Sequence, residues 1–94
     1  MSLRAGRVKS QEYVGKEVTI RGWVHRLRKQ KENSFVLVRD DRGAVIQCIL
    51  PTSKAADLTI ESSVAITGTV SHDPRAPEGG YEIKGTGIRV YNVA

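Results

Sequence analysis

A cluster of positive charge in the first third of the chain is the feature most able to do chemistry. Five of the fifteen lysines and arginines fall within residues 21–31, a window that contains no acid. Within it, Arg26, Arg28 and Lys29 stand close to Phe35, the only phenylalanine. Cations neutralise phosphates, and a flat ring offers a surface on which an unstacked base can lie. The spacing therefore predicts a binding surface for single-stranded nucleic acid.

Three further side chains are candidates for the same surface. The amide of Gln47 both donates and accepts hydrogen bonds, so it can pair with the edge of a base. An ordinary exposed strand amide is the alternative interpretation, and it stays open. Tyr81 either supports the loop that precedes it or stacks a base, and Arg75 adds a cation to that loop.

No set of residues has the composition of a catalytic or metal site. His25 and His72 are far apart, and neither stands beside a cysteine or carboxylate cluster with metal-ligand spacing. Asp40 and Asp41 are adjacent, but they lie where a hairpin turn is expected, and aspartate is common in turns. The sequence therefore predicts a binding domain that contains no catalytic residues, no metal site and no cofactor.

The overall composition limits the class of protein. A chain of 94 residues can form one domain with a modest core, and its formal charge of +5 favours a polyanionic partner. Its apolar runs are too short to span a membrane, and its first residues lack a signal-peptide core. Cys48 has no second cysteine with which to pair, which fits a reducing compartment. We expect a cytoplasmic protein with no membrane partner.

A predicted hairpin in the middle of the chain fixes which side chains share a face. Residues 34–40 and 44–50 have the composition of two strands, joined by a three-residue loop. Gly43 at the end of that loop suits a type I turn followed by a left-handed glycine. This loop length pairs Asp40 with Ala44.

The same register pairs Leu37 with Gln47. Phe35 and Ile49 then share the outer face with them, although a lone phenylalanine in an apolar strand is by default a core residue. The alternate positions fill the core, and they are Val36, Val38, Ile46, Cys48 and Leu50. A two-residue loop would instead place Gln47 on the face opposite Phe35 and bury its amide, which is costly.

Three more strands are predicted around this hairpin, over residues 17–27, over residues 63–71 and from Tyr81 onward. Gly22 interrupts the first of them and suggests a bulge or a sharp bend. The loop over residues 72–80 carries two prolines and two glycines and must be irregular.

The order of these elements predicts an all-β fold, a five-stranded Greek-key OB-fold barrel with a short helix between strands 3 and 4. The helix is predicted over residues 53–57, capped at Thr52 or Ser53. Residues 1–16 are predicted to be an N-terminal extension with a short helix, and residues 17–94 form the barrel. An SH3-like barrel is the competing fold, and the helical insert disfavours it.

Several finer expectations accompany this fold. Ser10 should cap a short helical turn in the extension. Leu58 and Ile60 should close the bottom of the barrel, and Ile88 and Val90 should point inward on the last strand. Trp23 should pack at the rim.

Two stretches of the chain, GWVHRLRKQ (22–30) and FVLVRDDRGAVIQCIL (35–50), resemble a known family. They are similar to the N-terminal anticodon-binding domain of the class II aspartyl-, asparaginyl- and lysyl-tRNA synthetases. Two shorter stretches, ESSVAITG (61–68) and APEGGYE (76–82), resemble the asparaginyl branch more than the aspartyl one.

The resemblance implies roles for individual residues. The family's stacking phenylalanine falls on Phe35, its base-reading glutamine on Gln47 and its arginine at the end of strand 1 on Arg28. The partner implied is the anticodon loop of a tRNA, with its bases splayed onto the barrel.

The resemblance also implies a larger enzyme. In the family a catalytic module with ATP-binding motifs follows this domain, so the chain is expected to be a fragment of an ATP-dependent asparagine–tRNA ligase. ATP and Mg²⁺ are expected only in that module, and the parent is expected to be a homodimer through it.

Three alternatives remain open from the sequence. The chain could be the corresponding domain of an aspartyl-tRNA synthetase, or a free-standing OB module that binds single-stranded nucleic acid. A barrel that binds no nucleic acid is the third, and it leaves the charge of residues 21–31 unexplained.

Overall fold

The computed structural model describes residues 1–77 and 79–93. It has six strands, and the last five correspond to the five predicted ones. The strands are β1 (Ser2–Leu3), β2 (Glu17–Lys29), β3 (Asn33–Arg39), β4 (Val45–Pro51), β5 (Ser63–His72) and β6 (Tyr81–Asn92). Two 3₁₀ turns cover Gln11–Tyr13 and Thr52–Lys54.

The strands close into a barrel because the two halves of β2 pair with two different strands. The sheet order is β1-β2-β3-β4-β6-β5, and an antiparallel pairing of β2 with β5 closes it. The first half of β2, up to Trp23, pairs with β5, and the second half, from Trp23, pairs with β3. This closure confirms the predicted OB-fold barrel.

The bend in β2 differs in detail from the prediction. The register with β3 shifts between Val24 and Arg26, so the bulge lies beyond Gly22. Gly22 is needed for another reason: a Cβ there would lie 2.2 Å from the carbonyl oxygen of Arg39. Only a residue without a side chain allows the two backbones to approach this closely.

The hairpin of β3 and β4 has the predicted register, with Leu37 opposite Gln47. Gly43 has a φ of 85°, in the left-handed region expected for the turn. Asp40 accepts hydrogen bonds from the backbone N–H groups of Arg42 and Ala44, each at 2.9 Å. Turn chemistry and strand pairing thus specify the same register.

The core contains the side chains that this register predicts. Five residues of the hairpin are fully buried, and they are Val36, Val38, Ile46, Cys48 and Leu50. Burial also raises the pKa of the Cys48 thiol. The segment before β2 contributes Ala5, Val8 and Tyr13 to the same core. Its 3₁₀ turn begins as predicted, because the Ser10 hydroxyl accepts from the N–H of Glu12 at 3.2 Å.

The helix predicted over residues 53–57, between the strands now labelled β4 and β5, is only a single 3₁₀ turn, and the predicted cap is wrong. Pro51 holds the N-cap position and provides no side-chain cap. The Thr52 hydroxyl is already bonded to the carbonyl of Gln30 and to the Ser34 hydroxyl. The hydroxyl thus bonds to the β2–β3 hairpin instead of capping a helix.

Two predicted inward residues lie outside the core. Leu58 is buried as expected, but Ile60 is 49% exposed. Val90 is also exposed, because β6 pairs with β4 only through Glu82, Ile83 and Lys84, so its second half lies at the edge of the barrel. Ile88 still packs against the core.

Candidate nucleic-acid interface

A groove of about 630 Å³ runs across the outer face of β2, β3 and β4. It is lined by two cations, one aromatic ring, one amide and four apolar side chains. These residues, called the basic groove below, are Arg26, Leu27, Arg28, Phe35, Leu37, Gln47, Ile60 and Pro77. Four of the seven predicted binding residues, Arg26, Arg28, Phe35 and Gln47, therefore meet in one cavity.

Phe35 lies in this groove, outside the core. Its Cα is paired with that of Ile49 on β4 and with that of Arg28 on β2. Its side chain is half-buried, and the guanidinium carbon of Arg28 lies 4.9 Å from the centroid of its ring. The register thus puts a charge and a flat apolar surface side by side.

The cations of the groove extend from β2, which is longer than the predicted strand over residues 17–27 and includes Arg28. Arg26 is paired with Leu37, and the hairpin of β2 and β3 continues to the pair of Lys29 with Ser34. The register of β2 with β3 shifts after Val24, and β2 continues two residues beyond the predicted end at Leu27. The strand backbone therefore fixes the spacing of Arg26 and Arg28, which a loop would not do.

Lys29 belongs to the same strand but does not line the groove. Its ammonium donates a hydrogen bond of 2.7 Å to the carbonyl of Ala56, beyond the Thr52–Lys54 turn. The three-residue turn after Lys29 is held against the end of β4, because the N–H of Thr52 donates to the carbonyl of Glu32 at 2.9 Å.

Gln47 is on the predicted face but is not an ordinary exposed amide. It is only 9% exposed, and it is the Cα partner of Glu82 in the parallel pairing of β4 with β6. Its Nε2 donates to Oε2 of Glu82 at 3.2 Å. Glu82 is 6% exposed, and its other oxygen accepts from the Ser71 hydroxyl at 3.5 Å.

Tyr81 and Arg75 lie in or beside the loop between β5 and β6 and do not line the basic groove. The Tyr81 ring packs against His72 with 4.7 Å between centroids, and its hydroxyl accepts from Nε2 of Gln11 at 3.3 Å. These contacts favour the supporting role for Tyr81. Arg75 is highly exposed, and its hydrogen bonds to Asp73 lower the pKa of that carboxyl.

Sequence reasoning missed Glu82, Ile60 and Pro77 as neighbours of the groove. Glu82 enters because β4 pairs with β6, a parallel contact between strands distant in the chain. Ile60 is exposed at the groove, whereas hydrophobicity alone placed it in the core. Pro77 was identified only as a loop breaker. None of the three carries a local signal for its position.

The described part of the chain contains no group of three or more metal-ligating side chains. Among the same residues, no helix is long and apolar enough to cross a membrane.

Known proteins share both the sequence pattern and the fold. A family model described as OB-fold nucleic acid binding domain, of the tRNA anti-codon type, matches residues 18–91. The asparagine–tRNA ligase of Thermoplasma acidophilum is 41% identical over 97 residues, which covers 95% of this chain and 22% of the relative. The cytoplasmic asparagine–tRNA ligase of Saccharomyces cerevisiae is 40% identical over 81 residues, which covers 79% of this chain and 14% of the relative.

A solved structure agrees with this relationship. The asparaginyl-tRNA synthetase from Pyrococcus horikoshii matches with a TM-score of 0.85 and 30% identity, over 98% of this chain and 23% of that one. This chain thus spans less than a quarter of the length of each of these three relatives. The resemblance found in the sequence is confirmed, and with a family match over most of its length the chain belongs to the OB-fold nucleic acid binding domains of the tRNA anti-codon type.

Proposed function

We propose that this chain is the anticodon-binding domain of an asparaginyl-tRNA synthetase and that the basic groove binds splayed anticodon bases. The observation that carries the proposal is the meeting of Arg28, Phe35 and Gln47 in one groove. The names of the relatives, which are asparagine–tRNA ligases, support the assignment to a synthetase and to asparagine as its amino acid.

In this proposal one anticodon base stacks on Phe35. The Arg28 guanidinium already lies over that ring, and such a contact contributes about 0.5–1 kcal/mol at an exposed site. A base stacked on an aromatic side chain contributes about 1–3 kcal/mol. Stacking is the stronger interaction, so an incoming base can displace Arg28 from the ring.

Whether or not a base displaces it from the Phe35 ring, Arg28 stays beside the bound RNA. Together with Arg26 it neutralises phosphates of the anticodon loop, and it can also reach a base edge. Lys29 and Arg75 lie outside the basic groove, where they can meet phosphates on either side of the bound bases. The exposed pair of Arg75 with Asp73 is weak enough for phosphate to compete with it.

Gln47 reads the base that lies on Phe35. Its amide can accept from N3–H of a uracil and donate to one of the uracil carbonyls. Anticodons for asparagine and aspartate share a central uracil, and the proposal assigns that base to Phe35 and Gln47.

The third anticodon base, uracil for asparagine and cytosine for aspartate, must be read elsewhere. The loop between β5 and β6 is the adjacent element, and its Pro77 lines the basic groove. We assign discrimination between the two tRNAs to this loop, over residues 72–80.

The proposal for the whole protein extends beyond this chain. An ATP-dependent ligase, with ATP and Mg²⁺ bound in a separate catalytic module and a homodimer formed through that module, agrees with the names and greater lengths of the relatives. A cytoplasmic location agrees with the name of the yeast relative.

A direct comparison of RNA ligands tests the function. Anticodon stem-loops of tRNA-Asn, tRNA-Asp and tRNA-Lys are titrated separately into the 94-residue chain. The asparagine stem-loop should bind most tightly. Equal binding of all three would contradict the asparaginyl assignment, and a failure of Phe35→Ala to weaken binding would contradict the assigned groove.

A further inference from the structure

The pair of Gln47 and Glu82 determines which way the Gln47 amide faces. At neutral pH a glutamate carboxylate only accepts hydrogen bonds, whereas a glutamine amide carries a donor at one end and an acceptor at the other. Because Glu82 faces Gln47 at 3.2 Å, the Nε2 end must point toward Glu82. The reverse orientation would bring the carbonyl oxygen of Gln47 against a carboxylate oxygen.

This orientation is costly to reverse because both side chains are nearly buried. Gln47 is 9% and Glu82 is 6% exposed, so water can replace the lost hydrogen bond only poorly. The Ser71 hydroxyl also donates to Glu82 and helps to hold the carboxylate in place. An unpaired amide at this position could flip and offer either end to a ligand.

Resting on the function proposed above, we propose that Glu82 is a positioning residue that fixes the acceptor end of Gln47 toward the basic groove and thereby selects uracil over cytosine. Uracil presents a ring N–H at N3, which the carbonyl Oε1 of Gln47 accepts. Cytosine presents a lone pair at N3, which would meet that oxygen without a hydrogen. The second N–H of Nε2 remains available for a uracil carbonyl.

The hydrogen bonds between Gln47 and the base predict how strongly uracil is preferred over cytosine. A good bidentate contact between a side chain and a base discriminates by roughly 10- to 100-fold. The wild-type chain should show a preference of this order for a stem-loop with central uracil over one with central cytosine. Without the carboxylate, both orientations of the Gln47 amide are allowed. The preference for uracil over cytosine should then fall to a few-fold.

The test is Glu82→Gln, which keeps the shape of the side chain but lets it donate as well as accept. Affinities are measured for two asparagine-type stem-loops that differ only in the central base. The matched control is Glu12→Gln, which removes an equally charged, exposed acid paired with Arg7 outside the groove. The control corrects for the general gain in RNA affinity when one negative charge is lost.

We expect Glu82→Gln to bind the uracil stem-loop within a few-fold of wild type while its preference for uracil collapses, and Glu12→Gln to keep the preference. If Glu82→Gln binds and retains the wild-type preference, Glu82 is only structural and the inference is wrong, although the proposed function survives. If the wild-type chain itself shows no preference for uracil, the reading of the base by Gln47 fails as well.

A measurement without a variant covers the case in which Glu82→Gln does not fold. In the ¹⁵N-labelled wild-type chain, the Nε2 protons of Gln47 should show nuclear Overhauser contacts to the side chain of Glu82. The absence of these contacts, as expected for a Gln47 amide that occupies both orientations, would overturn the inference.

Discussion

The guanidinium carbon of Arg28 lies 4.9 Å from the ring centroid of Phe35, because the two residues are direct partners across β2 and β3. This contact places a phosphate-binding charge beside the surface on which a base can stack. It depends on the bulge after Val24, which sets the register of the second half of β2. Charge and ring are therefore positioned by backbone pairing before any ligand arrives.

Phe35→Ala should weaken binding of the anticodon stem-loop by about 1–3 kcal/mol, the value of one base stacked on an aromatic side chain. The melting temperature should fall only slightly, since Phe35 is half-buried on the outer face. Calorimetric titration and thermal unfolding measure the two effects. Trp23→Ala is the control, an exposed aromatic outside the groove that should leave binding unchanged. A large drop in melting temperature for Phe35→Ala would show that the ring is a core residue.

The salt dependence of binding should report the cations of the groove. For single-stranded nucleic acid, each neutralised phosphate contributes about 0.7 to the slope of log K against log salt concentration. Arg26→Ala should lower the slope by about that amount, and Lys29→Ala by less, because Lys29 is bonded to Ala56. Arg89→Ala, a cation outside the groove, is the control. An affinity that hardly changes with salt would contradict the electrostatic role.

The fold could be predicted largely because local signals agreed. The glycine at position 43 and the aspartate at position 40 specify one turn, and that turn fixes the face of every residue in β3 and β4. The outward position of Phe35 follows directly from it. Propensity failed where a side chain had a tertiary partner, as at Thr52, whose hydroxyl bonds Gln30 and Ser34.

The site was harder to predict than the fold. Arg28, Phe35 and Gln47 come from adjacent antiparallel strands, so their meeting could be worked out from register. Glu82 approaches Gln47 through a parallel pairing between strands separated by β5, and no local pattern specifies that contact. The partner that orients the Gln47 amide was therefore invisible in the sequence.

Specificity should divide between two elements of the groove. Gln47→Ala should weaken the asparagine and aspartate stem-loops equally, because their central base is the same. Pro77→Ala, in the loop between β5 and β6, should change the ratio of the two affinities, since the stem-loops differ only at the third base. Titration of both stem-loops into both variants tests this division of specificity. A ratio shifted by Gln47→Ala but never by loop variants would refute this division.

Asp40 should make stability depend on pH below about 4, the region where a free aspartate titrates. Its burial raises the pKa, but bonds from the backbone N–H groups of Gly6, Arg42 and Ala44 outweigh burial and lower it. A lowered pKa means that stabilisation is complete above the unfolded-state pKa and is lost as pH falls through the folded-state pKa.

Asp40→Asn should therefore cost about 1.5–3 kcal/mol of unfolding free energy at pH 7, the value of hydrogen bonds to a charged group. The difference from wild type should shrink as the pH falls below about 4. Urea denaturation at several pH values measures it, and Asp41→Asn at the neighbouring exposed position serves as the control. A difference that is constant down to pH 2 would show that the charge of Asp40 contributes nothing.

The most direct test of the account is to map where an anticodon stem-loop touches the barrel. ¹⁵N-labelled chain is titrated with the tRNA-Asn anticodon stem-loop, and backbone and side-chain resonances are followed. We predict that the largest shifts fall on Arg26, Arg28, Phe35 and Gln47, with little change at Trp23. Shifts centred on Trp23 and Tyr91 instead, or no shifts at a saturating concentration of RNA, would contradict the assignment of the basic groove as the anticodon-binding site.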